Sequence, residues 1–84
     1  MLRRRAAIAS GLIPDWIGAR CDCGSSLYER AGVLYDSWRR FAQDNYEEPG
    51  SPAEFAAVME RRGFPCDQLP GLERGRIRWG LRLR

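Results

Sequence analysis

The sequence contains no histidine and no lysine. Without histidine the chain lacks the commonest general base at neutral pH and the commonest nitrogen ligand for a metal. Without lysine it cannot complete the Gly-x-x-x-x-Gly-Lys-Ser/Thr loop that cradles nucleotide phosphates. Cysteine is scarce, with Cys21, Cys23 and Cys66 only. An odd number of cysteines favours free thiols in a reducing compartment, so a cytoplasmic location is expected. Cys21-Asp22-Cys23 resembles a metal-ligating pair. A closed zinc site takes four ligands, however, and Cys66 supplies only a third. Neither a metal nor a cofactor is expected.

Other absences narrow the class further. No apolar run is long enough to span a bilayer, so no membrane partner is expected. Leu2-Arg3-Arg4-Arg5 followed by Ala6 to Ile13 imitates a signal peptide. Its apolar part is short and is diluted by Ser10 and Gly11, and residues 1–13 read instead as a basic arm or short helix. No constellation pairs a nucleophile with a base, so neither an enzyme nor a small-molecule substrate is expected. A chain of 84 residues makes one domain that hides only about 60–65% of its unfolded surface, which leaves little room for an internal active site.

What the chain has is arginine. All 14 basic residues are Arg, and the net charge is +3. Planar guanidinium forks suit phosphate recognition, whereas a GC-rich coding bias would replace lysine by arginine everywhere. The distribution is uneven: residues 1–40 carry seven Arg against four acids, residues 41–60 five acids and no base, and residues 61–84 seven Arg against two acids. A polyanion would be met by the termini and repelled by the middle.

The last ten residues show the strongest pattern. Ile77, Trp79, Leu81 and Leu83 share one parity, and Arg76, Arg78, Arg82 and Arg84 share the other. Alternation predicts a strand with an apolar face, Trp79 included, turned to the core and a guanidinium ladder turned outward. Arginine on the solvent side of an edge strand also serves simply to deter aggregation, and Arg82 and Arg84 fit that role.

Upstream, Pro14 and Asp15 predict the first turn of a helix that runs until Gly24-Ser25-Ser26, with Leu27 to Arg30 as a minor strand. A second helix begins near Gly32. Leu34, Trp38, Phe41 and Asn45 line its buried side, Tyr35 and Ala42 flank it, and Asp36 pairs with Arg40 on the solvent side. Ser51-Pro52-Ala53-Glu54 is a capping box, and Gly63-Phe64 suits a Schellman end. A third helix is therefore expected over 52–62, burying Phe55, Val58 and Met59. Phe64 to Leu69 reads as a strand that forms an antiparallel hairpin with the last one across a loop at Pro70 to Gly75. The predicted class is α+β: a winged helix-turn-helix over residues 14–84, three helices with a carboxy-terminal hairpin as the wing.

Leu34-Tyr35, Trp38, Phe41, Pro49, Ser51, Phe55, Met59, Gly63-Phe64, Gly75, Trp79-Gly80, Leu81 and Leu83 together resemble the carboxy-terminal winged-helix domain of phage and plasmid primase-helicases. The resemblance spans about residues 16–84 and implies an accessory DNA-binding module linked to replication, with a replication ATPase as a possible protein partner. Cys66-Asp67-Gln68-Leu69 departs from it, standing where that family tends to be basic.

On the residues themselves, the outward face of the third helix offers Ala53, Ala56, Ala57 and Glu60, which read bases poorly. Phosphate contacts are the better expectation. The candidates are Arg61, Arg62, Arg74, Arg76 and Arg78, with Arg3, Arg4 and Arg5 from the arm, on single- or double-stranded DNA. The competing reading is a protein-docking module that uses the alanine face and its neighbours Glu47, Glu48, Glu54 and Glu60.

Overall fold

A computed structural model describes residues 11–68 and 75–84. The elements run α1 (Leu12–Arg20), β1 (Cys21–Arg30), α2 (Ala31–Asp44), α3 (Pro52–Arg61), β2 (Cys66–Asp67) and β3 (Ile77–Leu83). The three strands form one antiparallel sheet in the order β1-β3-β2. The architecture is α+β, three helices with a three-stranded antiparallel sheet.

The helices follow their local chemistry. In α3 the Ser51 hydroxyl accepts from the Glu54 N–H at 3.1 Å, and the Glu54 carboxylate accepts from the Ser51 N–H at 3.0 Å, closing the capping box. These bonds, the backbone one foremost, hold the Glu54 carboxyl below its ordinary range. At the other end Gly63 takes φ +85°. The Phe64 N–H reaches the Met59 carbonyl at 3.0 Å and the Gly63 N–H the Glu60 carbonyl at 3.1 Å, the paired bonds of a Schellman motif. On α2, Leu34, Trp38 and Ala42 are buried. Phe41 is half-buried under the Arg20 guanidinium, and Asn45 is exposed, its amide donating to the Phe41 carbonyl.

An aromatic cluster joins the helices. Trp16 and Trp38 are fully buried, and each meets Phe55, the first at 5.6 Å edge-on and the second at 6.3 Å nearly parallel. Their indole N–H groups, costly to bury unpaired, donate to the Ser37 hydroxyl and the Pro49 carbonyl. Tyr35 donates to the Gly50 carbonyl at 2.7 Å, so the turn between α2 and α3 is anchored twice. Val58, Met59, Ile13, Cys21 and Leu81 complete the core.

The sheet departs from the sequence expectation in three ways. First, α1 ends at Cys21, where the backbone becomes extended, and β1 starts there instead of near Leu27. Cys-Asp-Cys-Gly-Ser-Ser has little intrinsic strand preference. Its first three residues are extended because the far half of β3 pairs with them, Cys21 opposite Leu83 and Cys23 opposite Leu81. Second, β3 is central only at Ile77 and Arg78, where β2 flanks it; from Leu81 on it pairs with β1 alone, so Arg82 keeps the edge position expected of it and Arg84 follows the end of the strand. Third, β2 comprises only Cys66–Asp67. The expected loop at Pro70 to Gly75 lies almost entirely outside the described residues.

Gly80 changes the meaning of the alternation. Its φ is +103°, and a Cβ there would stand 2.8 Å from Phe64 Cδ1. Only glycine adopts that backbone cheaply, and only glycine fits beneath the ring. Opposite it, the register jumps from Cys23–Leu81 to Tyr28–Trp79, so β1 bulges over Gly24 to Leu27. Beyond the bulge the faces are exchanged. Leu81 and Leu83 pack on the helical core, whereas Trp79 is half-buried outside it and Arg78 is buried.

Candidate nucleic-acid interface

Arg78 is the largest correction to the expected binding set. It is 4% exposed, and its Nη1 donates to Glu60 Oε1 at 3.1 Å and to the Phe64 carbonyl at 2.8 Å. The reversal at Gly80 turns it under the end of α3, so it cannot meet a phosphate. Glu60 is corrected with it. Instead of repelling a polyanion, its carboxylate takes Arg78 and the Cys66 N–H, at 3.2 Å. The Arg78 bond, and then the backbone one, holds the Glu60 carboxyl below its ordinary range.

These bonds build a junction. Glu60 joins the end of α3 to β2 through Cys66 and to β3 through Arg78. Arg61 and Arg62 follow Glu60 directly and are exposed. Arg76 is exposed on the other side of the junction, where it lines a cleft of about 260 Å³ with Cys66, Asp67 and Gln68. Its carbonyl accepts the Ala31 N–H at 2.8 Å, which fixes its backbone against the start of α2. Arg61 and Arg62 thus follow one member of the junction, Glu60, and Arg76 stands two residues before another, Arg78. None of the three forms an ion pair among the described residues. Arg3, Arg4, Arg5 and Arg74 lie outside the described residues.

The remaining arginines are committed elsewhere or stand apart. Arg39 and Arg40 bind Asp36 at 2.6 and 3.1 Å, and the Arg39 bond chiefly keeps that carboxyl below its ordinary range. Arg84 meets Asp22 at 3.6 Å and the Gly18 carbonyl. A cleft of about 400 Å³ between α1, α2 and the end of β3 carries Arg20, Arg40 and Arg84, but also Asp36 and Asp44. Its charge is mixed and does not select an anion.

Sequence reasoning placed Trp79 in the core, and the structure places it on the outer face of the sheet. Its ring meets Tyr28, the residue opposite it on β1, edge-on at 5.3 Å, and its Nε1 donates to Asp67 Oδ2 at 3.0 Å. The signal that could have revealed this was Gly80, since glycine inside a strand marks a bulge or a close approach.

The surroundings of Cys21 hold its thiol protonated. All three cysteines are free, and burial, helped by the neighbouring Cys23, pushes the Cys21 thiol up to about 11. A thiol so raised is protonated at neutral pH and is a poor nucleophile. Among the described residues no three histidine, cysteine or acidic side chains gather as a metal would require. None of the described helices is long and apolar enough to cross a membrane. No protein-family description matches the chain, and no curated protein matches it either.

Proposed function

We propose that the protein is a winged-helix module that binds nucleic acid through its phosphates, with little sequence specificity. The carrying observation is the group Arg61, Arg62 and Arg76, exposed and without an ion pair among the described residues, about the junction of α3 and the hairpin. The element order α1-β1-α2-α3-β2-β3 and the sheet order β1-β3-β2 support the winged-helix reading. In that plan α3 is the recognition helix and the β2–β3 hairpin is the wing. The exposed Ala53 and Ala57 allow close approach without offering a hydrogen bond to a base edge, which favours backbone contact over base readout. Glu60, neutralised by Arg78, no longer opposes it. A place in phage or plasmid replication rests on the family resemblance alone.

The test is fluorescence anisotropy with single-stranded and duplex DNA at two salt concentrations. Three phosphate contacts give a salt slope of about −2.7 on duplex, so affinity falls roughly 40-fold from ~50 to ~200 mM salt. The triple variant Arg61→Ala/Arg62→Ala/Arg76→Ala should lose most of that dependence. No binding to either form at low salt refutes the proposal.

A second reading, protein docking beside α3, is favoured by Tyr46. It is 79% exposed at the turn between α2 and α3 and holds φ +57°, a conformation that costs a tyrosine about 1–2 kcal/mol. Loss of protein capture on Tyr46→Asn, with DNA binding unchanged, would separate this reading from the first.

A further inference from the structure

We propose that the outer face of the sheet stacks unpaired bases of single-stranded nucleic acid on the Tyr28–Trp79 pair; this rests on the phosphate-binding reading above and adds the form of nucleic acid it prefers. The pair is formed by the backbone and is not a chance surface contact. Tyr28 and Trp79 are direct cross-strand partners, so their side chains leave the sheet on the same side. Neither ring belongs to the helical core, and Ile77, the next residue on that side of β3, is buried but stands outside that core as well.

Two features suit the rings to stacking. Their planes meet at 61°, and an edge-to-face pair leaves ring faces that neither partner covers. Tyr28 is 45% exposed. The indole is also held in place: Asp67 accepts its N–H, and that bond, followed by the Gln68 N–H, keeps the Asp67 carboxyl below its ordinary range. A ring already ordered loses little further freedom when a base lies on it.

The surrounding charge selects the occupant. Arg82 lines a cleft of about 260 Å³ with Tyr28. Arg30 stands two residues from Tyr28 on the regular part of β1, on the same face, and both guanidiniums are exposed without an ion pair among the described residues. The nearby carboxylates are engaged, Asp67 by the indole, Glu29 by the Leu83 and Arg30 N–H groups, and Asp22, opposite Arg82, by Arg84 at 3.6 Å. Aromatic faces flanked by free cations fit a strand whose bases are splayed and whose phosphates run alongside. A duplex satisfies only the cations, because its base faces already stack on one another.

The experiment titrates the full chain with an oligothymidylate and with a duplex of equal length, reading anisotropy and tryptophan fluorescence. Trp16 and Trp38 are buried, so quenching reports Trp79. Tyr28→Ala and Trp79→Leu should each weaken single-strand binding roughly 5- to 100-fold and leave duplex binding unchanged. Tyr28→Ala carries the test if Trp79→Leu does not fold, as judged by circular dichroism. Single-strand affinity unchanged by Tyr28→Ala, with no quenching of the native chain, overturns the stacking inference. If duplex binding then still responds to the Arg61, Arg62 and Arg76 substitutions, the phosphate-binding reading survives it. Absence of binding to both oligonucleotides overturns both.

Discussion

On the carboxy-terminal side of Gly80, Leu81 and Leu83 pack on the helices and Arg82 faces water. On the amino-terminal side the roles are exchanged: Arg78 lies beneath α3 and Trp79 meets Tyr28 on the outer face. The same alternating residues therefore join the helical core in one half, whereas in the other Ile77 and Arg78 are both buried outside that cluster and Trp79 is half-buried. What separates them is one left-handed glycine opposite a bulge in β1. On the two sides of that glycine one arginine, Arg78, is buried and the other, Arg82, is exposed.

The sharpest way to break this contrast is Gly80→Ala. The substitution forces a φ of +103° on an L residue and drives its Cβ to 2.8 Å from Phe64, whose own backbone is tied into the α3 end by the bond to Met59. Left-handed strain and overpacking together should cost about 3 kcal/mol. Urea denaturation would measure it. No loss, or the gain of about 0.4–1 kcal/mol that Gly-to-Ala gives at an unstrained position, would mean that the strand tolerates a continuous pleat and that the reversal is not enforced.

A smaller effect compares one arginine from each half. Arg78→Ala removes a buried guanidinium bonded to a carboxylate and a carbonyl, and should cost about 2–3 kcal/mol. Arg82→Ala, exposed on the same strand, should stay within about 0.5 kcal/mol. The nucleic-acid readout should run the other way, with single-strand affinity reduced by Arg82→Ala and preserved by folded Arg78→Ala. Equal stability losses for both variants would erase the distinction.

The same contrast marks how far the sequence could be read. The capping box at Ser51, the Schellman end at Gly63 and the stripe through Leu34 and Trp38 were legible because each depends on neighbours within a few residues. The pairing of β2 with β3 was legible for a similar reason, although β2 proved shorter. Of β1 only the Leu27 to Arg30 end was, because Cys21 to Cys23 is strand through partners some sixty residues away. Among the candidate arginines, Arg61, Arg62 and Arg76 were placed on the surface correctly. Arg78 was not, since strict parity was carried through Gly80, where the backbone breaks it.

The smallest effect concerns the pH dependence of the Glu60–Arg78 pair. Arg78, and then the Cys66 N–H, holds the Glu60 carboxyl below its ordinary value of 4.5. A carboxyl lowered on folding contributes stability that is present above the unfolded value and lost as pH falls through the folded one. Asp36, Glu54 and Asp67 are lowered in the same direction by Arg39, Ser51 and Trp79, so acid destabilises the native chain through several groups at once. Glu60→Gln isolates one of them. The amide can still accept from Arg78 but carries no charge to lose, so the variant should be less stable than the native chain at pH 6 and approach it as pH falls toward 3. Denaturation at a series of pH values measures that gap. A gap as wide at pH 3 as at pH 6 would mean that Glu60 acts only as a hydrogen-bond acceptor, and that the charge buried under α3 is held by the Phe64 carbonyl and packing alone.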